Sequence, residues 1–189
     1  MKWKARDSLP ALVFDIENRP LSYWFDGAST AEVTVIAYKW LGSSRAKALV
    51  AGGSVALVDV LEAFRPVYER AGVVIGHHVR GHDLPILNGA YIELGYEALE
   101  PKLTIDTLKD LVRWKDIPRS LDYLGDWLGC PIAKPHMSQH AWREANRFTA
   151  AGLKAAEKRC RNDVLVTEWC YHELLRRGLL TKPPRTWAP

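Results

Sequence analysis

Residues Ala11–Ile16 read Ala-Leu-Val-Phe-Asp-Ile, a near-continuous apolar run bounded by Pro10 and Pro20. A strand wetted on one face alternates apolar with polar residues. A run without that alternation predicts a strand buried on both faces. Such a strand needs neighbours in a sheet and helices above and below it, which points to an α/β domain. The run is broken by Asp15 and followed at once by Glu17. On a strand, residues i and i+2 point to the same side, so both carboxylates are expected on one face at the strand's end.

The remaining pattern fits this frame. Glu32–Trp40 and Ala46–Ala51 are rich in β-branched and aromatic residues, with Gly42-Ser-Ser and Gly52-Gly-Ser as turns after them. Three strands joined by short turns predict antiparallel pairing. Val55–Ala71 then places Val58, Leu61, Phe64, Val67 and Tyr68 at helical spacing. Gly72–Ile75 is expected as a fourth strand, Leu84–Leu94 as a helix, and Leu103–Ile105 as a fifth strand. Thr107–Trp114 and Ser120–Leu128 are expected helices, and Gly129–His140 a loop. Leu153–Arg177 is one long helix whose buried stripe is Leu153, Ala156, Cys160, Val164, Thr167, Tyr171 and Leu174. The expectation is a mixed five-stranded sheet, strands one to three antiparallel and the later ones parallel, flanked by helices. Residues 1–181 form one domain and 182–189, with Pro183, Pro184 and Pro189, an extended tail.

At 189 residues the chain is long enough for a real core without covalent staples. Its 48% hydrophobic and 25% charged content excludes a globally disordered or fibrous protein. No apolar run reaches the roughly 18 residues of a membrane span. Met1 to Pro10, with Lys2, Lys4, Arg6 and Asp7, does not read as a secretory leader. Three cysteines without CxxC spacing argue against a disulfide framework or a zinc site and for a reducing compartment. A cytoplasmic location is therefore expected.

Asp15 and Glu17 would repel each other at the end of a buried strand unless a cation neutralises them, and hard oxygen donors suit Mg²⁺ or Mn²⁺. Two further acids stand in suggestive places. Asp83 ends Gly76-His-His-Val-Arg-Gly-His-Asp and precedes a helix, where it could equally serve as an N-cap. Asp163 borders the buried stripe of the long helix, where a metal or pairing with Arg159 or Lys158 would satisfy it.

In order and spacing these segments resemble the DnaQ-like (DEDD) 3′–5′ exonucleases of the ribonuclease H-like fold. Val13-Phe-Asp15-Ile-Glu17 is similar to that family's Asp-x-Glu strand, Gly76–Leu87 to its Gly-His-Asn-x-x-x-Phe-Asp segment, and Cys160-Arg-Asn-Asp163-Val to its Tyr-x-x-x-Asp helix. Ile105-Asp106-Thr107 and Leu121–Gly129 look like stretches of its stand-alone, phage-type members. The likeness runs from about residue 11 to 178. It implies a three-layer fold and a metal-dependent 3′–5′ exonuclease acting on single-stranded DNA or RNA ends. In that scheme Asp15 bridges two divalent cations, Glu17 and Asp163 complete one shell, and Asp83 supports the other.

Four residues depart from the family. Arg159 and Lys158 stand where it supplies a Tyr or His general base, and neither is a plausible base. His78 replaces Asn and His82 replaces Phe. Three accounts are open: metal activation alone, with Arg159 on the scissile phosphate; a displaced base from His136, His140 or His82; or a weakened protein that only binds strand ends. The resemblance also implies that Asn18 and Arg19 contact the terminal nucleotide. His78 and Arg80, beside Asp83, are candidate substrate contacts, with Arg80 on a phosphate. Tyr23 and Trp24 could stack on a base. Lys109, Arg113, Lys115 and Arg119 form a basic stretch. A polymerase or other replication partner is a further expectation.

The net charge of +4 is unevenly spread. Residues 1–141 carry 16 basic and 17 acidic side chains, whereas residues 142–189 carry 10 and 5. The positive excess thus lies around Asp163. Lys154, Lys158, Arg159 and Arg161 are where salt-sensitive strand binding is expected.

Overall fold

The computed structural model describes residues 10–20, 31–112, 117–132 and 136–189. Among these, the elements run β1 (Ala11–Pro20), β2 (Ala31–Trp40), β3 (Lys47–Val50), α1 (Leu57–Arg70), β4 (Val73–Gly76), α2 (Asp83–Glu93), β5 (Lys102–Asp106), α3 (Leu121–Leu128), α4 (Gln139–Asn146), α5 (Ala150–Arg176) and β6 (Arg185–Trp187).

The strands form one mixed sheet in the order β3-β2-β1-β4-β5-β6. β1 pairs antiparallel with β2, and β2 antiparallel with β3. β4 and β5 continue parallel to β1, and β6 returns antiparallel to β5. β1 is interior to the sheet, and its pleat explains the apolar run. Leu12, Phe14 and Ile16 enter a core with Val60, Leu61 and Phe64 of α1 and Leu84 and Leu87 of α2. Val13 faces the other way, into a core with Leu124 of α3, Ala145 of α4 and Cys160 and Val164 of α5. Helices therefore cover both faces, and the odd-numbered face of β1, which carries Asp15 and Glu17, is the one beneath α5.

The expected buried stripe of α5 is buried throughout, from Leu153 to Leu174. Thr149 caps this helix, its hydroxyl accepting from Gly152 N–H at 3.1 Å. Gly152 also lets α4 in: a Cβ there would lie 2.2 Å from Ala145 N, so the α4 backbone could not pack where it does.

The sheet has six strands, not the expected five. The sixth comes from the segment read as an extended tail, where Trp187, 8% exposed, packs into the core beneath α1 and α2. No helix forms over residues 107–112, where one was expected. Asp106 Oδ1 accepts the N–H groups of Leu108 and Lys109, and Leu111 pairs with Leu180. A side-chain carboxylate thus takes donors at the point where a helix would begin. Conversely, α4 starts inside the stretch read as loop, with the Ser138 hydroxyl accepting from Ala141 N–H at 3.2 Å. No helix among the described residues is long and apolar enough to cross a membrane.

Candidate metal centre

The β1–β4 pairing ends at Val13 opposite Ile75. Beyond that point β1 and β4 are no longer paired, and the register of β1 against β2 slips between Glu17 and Asn18. Thr34, the extra residue on β2, donates its hydroxyl to the Glu17 carbonyl at 3.1 Å. Bulges of this kind re-aim side chains at strand ends. Here the bulge falls immediately after the Asp15–Glu17 pair.

Asp83 fills the edge that β4 has left. Its Oδ1 accepts Ile16 N–H at 3.2 Å, and it is 3% exposed. It is the first residue of α2 rather than its N-cap, which is His82 with no side-chain cap bond. From above, α5 lowers Arg159, Cys160 and Asp163 onto the same face of β1. Asp163 is 5% exposed. Arg159 Nε lies 3.4 Å from Glu17 Oε1 and 3.8 Å from Asp163 Oδ2. The Cys160 thiol is 3.3 Å from the Asp15 carbonyl oxygen and 3.5 Å from Asp15 Oδ2. Asp15, Glu17 and Cys160 each present a potential ligand atom within 4.8 Å of one another.

The electrostatics follow from this crowding. Burial raises the Asp15 carboxyl well above its ordinary value, and the charges of Asp83, Asp163 and Glu17 raise it further. Three of the predicted carboxylates thus act on the fourth. Burial also pushes the Cys160 thiol well up, helped by Asp15 and Glu17. It therefore stands as a neutral donor to Asp15, not as a thiolate. His82 Nδ1 is 3.7 Å from Asp83 Oδ2, and this carboxylate raises the imidazole while partial burial opposes it.

The other predicted residues divide. Of the three candidate histidines, His82 pairs with one of the four acids, whereas His136 and His140 are exposed. His140 sits two residues, about 200° of helix, from Trp142, and it is Trp142 whose ring lies 5.5 Å from the Arg159 guanidinium. Arg80 turns inward: its guanidinium grips Asp110 at 2.6 and 3.0 Å and Thr104 Oγ1 at 3.1 Å, with only 11% of the side chain exposed. It is committed to a buried ion pair and not presented to a phosphate. Arg19 is likewise engaged, paired with Glu32, donating to the Asn146 carbonyl at 2.8 Å and lying 4.0 Å over the Phe148 ring. Asn18 is half-buried just past the bulge. His78 is half-buried at a φ of 65° and gives its N–H to Asp106 Oδ1 at 3.0 Å. Among the basic residues of α5, Lys154 and Lys158 are exposed, whereas Arg161 is tied to Glu157 and the Ala46 carbonyl, each at 2.7 Å. Tyr23, Trp24, Arg113 and Lys115 lie outside the described residues.

Cys160 and Trp142 were not singled out by sequence reasoning as parts of the site. Cys160 had a legible signal, one helical turn before Asp163 on the buried stripe. Trp142 had none, because α4 was itself unread.

No family model and no curated protein matches the chain. Among solved structures it is similar to the family B DNA polymerase from the hyperthermophilic archaeon Pyrobaculum calidifontis, with a TM-score of 0.66 and 18% identity over 88% of this chain. The match takes in 24% of the polymerase chain, so this protein corresponds to about a quarter of that molecule. At this identity the likeness is one of fold.

Proposed function

We propose that the chain is a divalent-metal-dependent 3′–5′ exonuclease of the DnaQ-like type, in a ribonuclease H-like fold, acting on single-stranded DNA or RNA ends. One observation carries the reading. Asp15, Glu17, Asp83 and Asp163 converge from a strand and two helices: Asp15 and Glu17 present oxygens within 4.8 Å of each other, Asp83 accepts the N–H of Ile16 between them, and Asp163 shares Arg159 with Glu17. That arrangement is costly without cations and suited to holding them. The donors of the four acids are hard carboxylate oxygens, which fit Mg²⁺ or Mn²⁺ better than a softer ion. Two bound cations would supply an activated water and charge stabilisation for the departing 3′ oxygen.

The chain's own residues do the rest. Glu17 and Asp163 hold one side of the site and Asp83 the other, with Asp15 between them. Cys160 fixes the Asp15 carboxylate through its thiol hydrogen bond. Arg159 cannot accept a proton, since a guanidinium stays charged. His82, beside Asp83, is the candidate side chain best placed to hold a proton at the cluster.

The position of Arg159 against Glu17 and Asp163 favours a second reading, a domain that binds strand ends without turning them over. One assay separates the two. 5′-labelled single-stranded DNA and RNA are incubated with the protein and Mg²⁺ or Mn²⁺. The exonuclease reading expects a ladder shortening from the 3′ end that is lost in Asp15→Ala and Asp163→Ala. Absence of shortening, or activity that survives either substitution, refutes it. The fold likeness to part of a polymerase chain makes a polymerase the partner to test by co-purification.

A further inference from the structure

Arg159 is held less closely to its carboxylates than Arg80 and Arg161 are to theirs. Arg80 and Arg161 reach their carboxylates at 2.6 and 2.7 Å, the range of charge-assisted hydrogen bonds. Arg159 stands 3.4 and 3.8 Å from its two, contacting both through Nε. Its side chain remains 21% exposed while Glu17 and Asp163 are 12% and 8% exposed, so it comes to them from the solvent side. The Trp142 ring beside the guanidinium offers a flat surface along which a planar cation can shift while staying in contact.

We propose that Arg159 is a resident counter-cation of the carboxylate cluster that a phosphate of the bound strand draws away, so that divalent-cation binding and strand binding reinforce each other. The inference rests on the metal-site reading above. Glu17 and Asp163 cannot give the same lone pairs to a guanidinium and to a divalent cation, and the two positive charges repel. Arg159 therefore weakens cation binding while it remains in place. Phosphate oxygens are the other partner a guanidinium pairs with strongly. A phosphate at the mouth of the site moves Arg159 outward and leaves the carboxylates to the metal. By linkage, the metal must then raise phosphate affinity by the same factor.

The test is Mn²⁺ binding to the full chain, measured by calorimetry and by electron paramagnetic resonance of the free ion, with and without a deoxynucleoside 5′-monophosphate. This probe carries a phosphate but cannot be shortened. Without nucleotide, Arg159→Ala is expected to bind Mn²⁺ about tenfold more tightly than wild type, within the 5–150-fold range typical of coupled sites. Nucleotide should tighten Mn²⁺ binding to wild type by a similar factor and leave Arg159→Ala unchanged. Arg159→Lys, which keeps the charge, should stay near the weaker wild-type affinity. The proposal is overturned if Arg159→Ala binds Mn²⁺ no more tightly than wild type, or if nucleotide tightens both proteins equally. Asp15→Ala separates the two levels of inference. If it abolishes Mn²⁺ binding while Arg159→Ala changes nothing, the counter-cation idea fails alone. If Asp15→Ala and wild type bind Mn²⁺ alike, the carboxylate site itself is wrong.

Discussion

Replacing Asp15 by Asn removes one charge from the cluster and almost nothing else, since the shape and the acceptor for the Cys160 thiol remain. Asp15 and Glu17 bring carboxylate oxygens within 4.8 Å of each other. At that separation two like charges repel by about 2–3.5 kcal/mol for an effective dielectric between roughly 40 and 20. Arg159 offsets part of the Glu17 charge, so the lower figure is the one to expect. Asp15→Asn should therefore stabilise the metal-free protein by about 2 kcal/mol near neutral pH. For a domain of this size that is roughly 4–8 °C in Tm.

The pH dependence has a definite sign. Because the Asp15 carboxyl is raised in the folded protein, its contribution to stability is complete below the ordinary value of 3.8 and is lost as pH rises through the raised value. Wild type in EDTA should gain stability as pH falls from neutral toward that window, and Asp15→Asn should lack this component. Saturating Mn²⁺ should reverse the order, because ligand binding to the folded state stabilises wild type only. The assay is thermal unfolding in EDTA and in Mn²⁺ across pH. If Asp15→Asn is equal to or less stable than wild type in EDTA at pH 8, the acids are not in mutual strain and the electrostatic argument for cations fails.

Two further substitutions check the reassignments made by the structure. Arg80→Ala leaves buried Asp110 uncompensated and should cost about 3–5 kcal/mol, roughly 6–20 °C in Tm. Its affinity for a strand should be unchanged in filter binding, and a specific loss of affinity without a loss of stability would restore the phosphate role. Trp187→Ala empties the place that β6 fills against the α1–α2 core and should cost about 3 kcal/mol, roughly 6–12 °C by calorimetry. A change below about 1 kcal/mol would mean that β6 does not hold the sheet edge.

What could be read from the sequence was what local periodicity encodes. The Asp-x-Glu spacing places two acids on one strand face whatever surrounds it, and the stripe from Leu153 to Leu174 turns Asp163 inward whatever it meets. The partners of long cationic side chains were not legible, because they are set by distant backbone. Arg80 finds Asp110 30 residues on, and Arg19 finds the Asn146 carbonyl 127 residues on. The sixth strand was too short for period-two alternation to register. α4 was hidden because it is only eight residues long, so its apolar face of Ala141, Trp142 and Ala145 spans little more than one turn. Over residues 107–112, propensity gave way to the Asp106 carboxylate. The resemblance pointed to Asp83, but its bond to Ile16 N–H depends on β1 and β4 parting after Val13.

Asp106 also shows why carboxylate burial alone does not mark a metal site. It is fully buried at the end of β5 and could be mistaken for a fifth ligand. Its oxygens, however, receive four backbone N–H groups: His78, Leu108 and Lys109 on Oδ1 and Arg80 on Oδ2. That carboxylate's charge is answered by protein dipoles, and its work is to clamp the turn after β5 to the loop that delivers Asp83. Asp15 is in the opposite condition. Cys160 gives it a weak thiol donor, and the charges of Asp83, Asp163 and Glu17 all raise its carboxyl. One aspartate is complete within the fold, while the other is held where its charge is met by like charges. The second condition is the one that the proposed divalent cations would relieve.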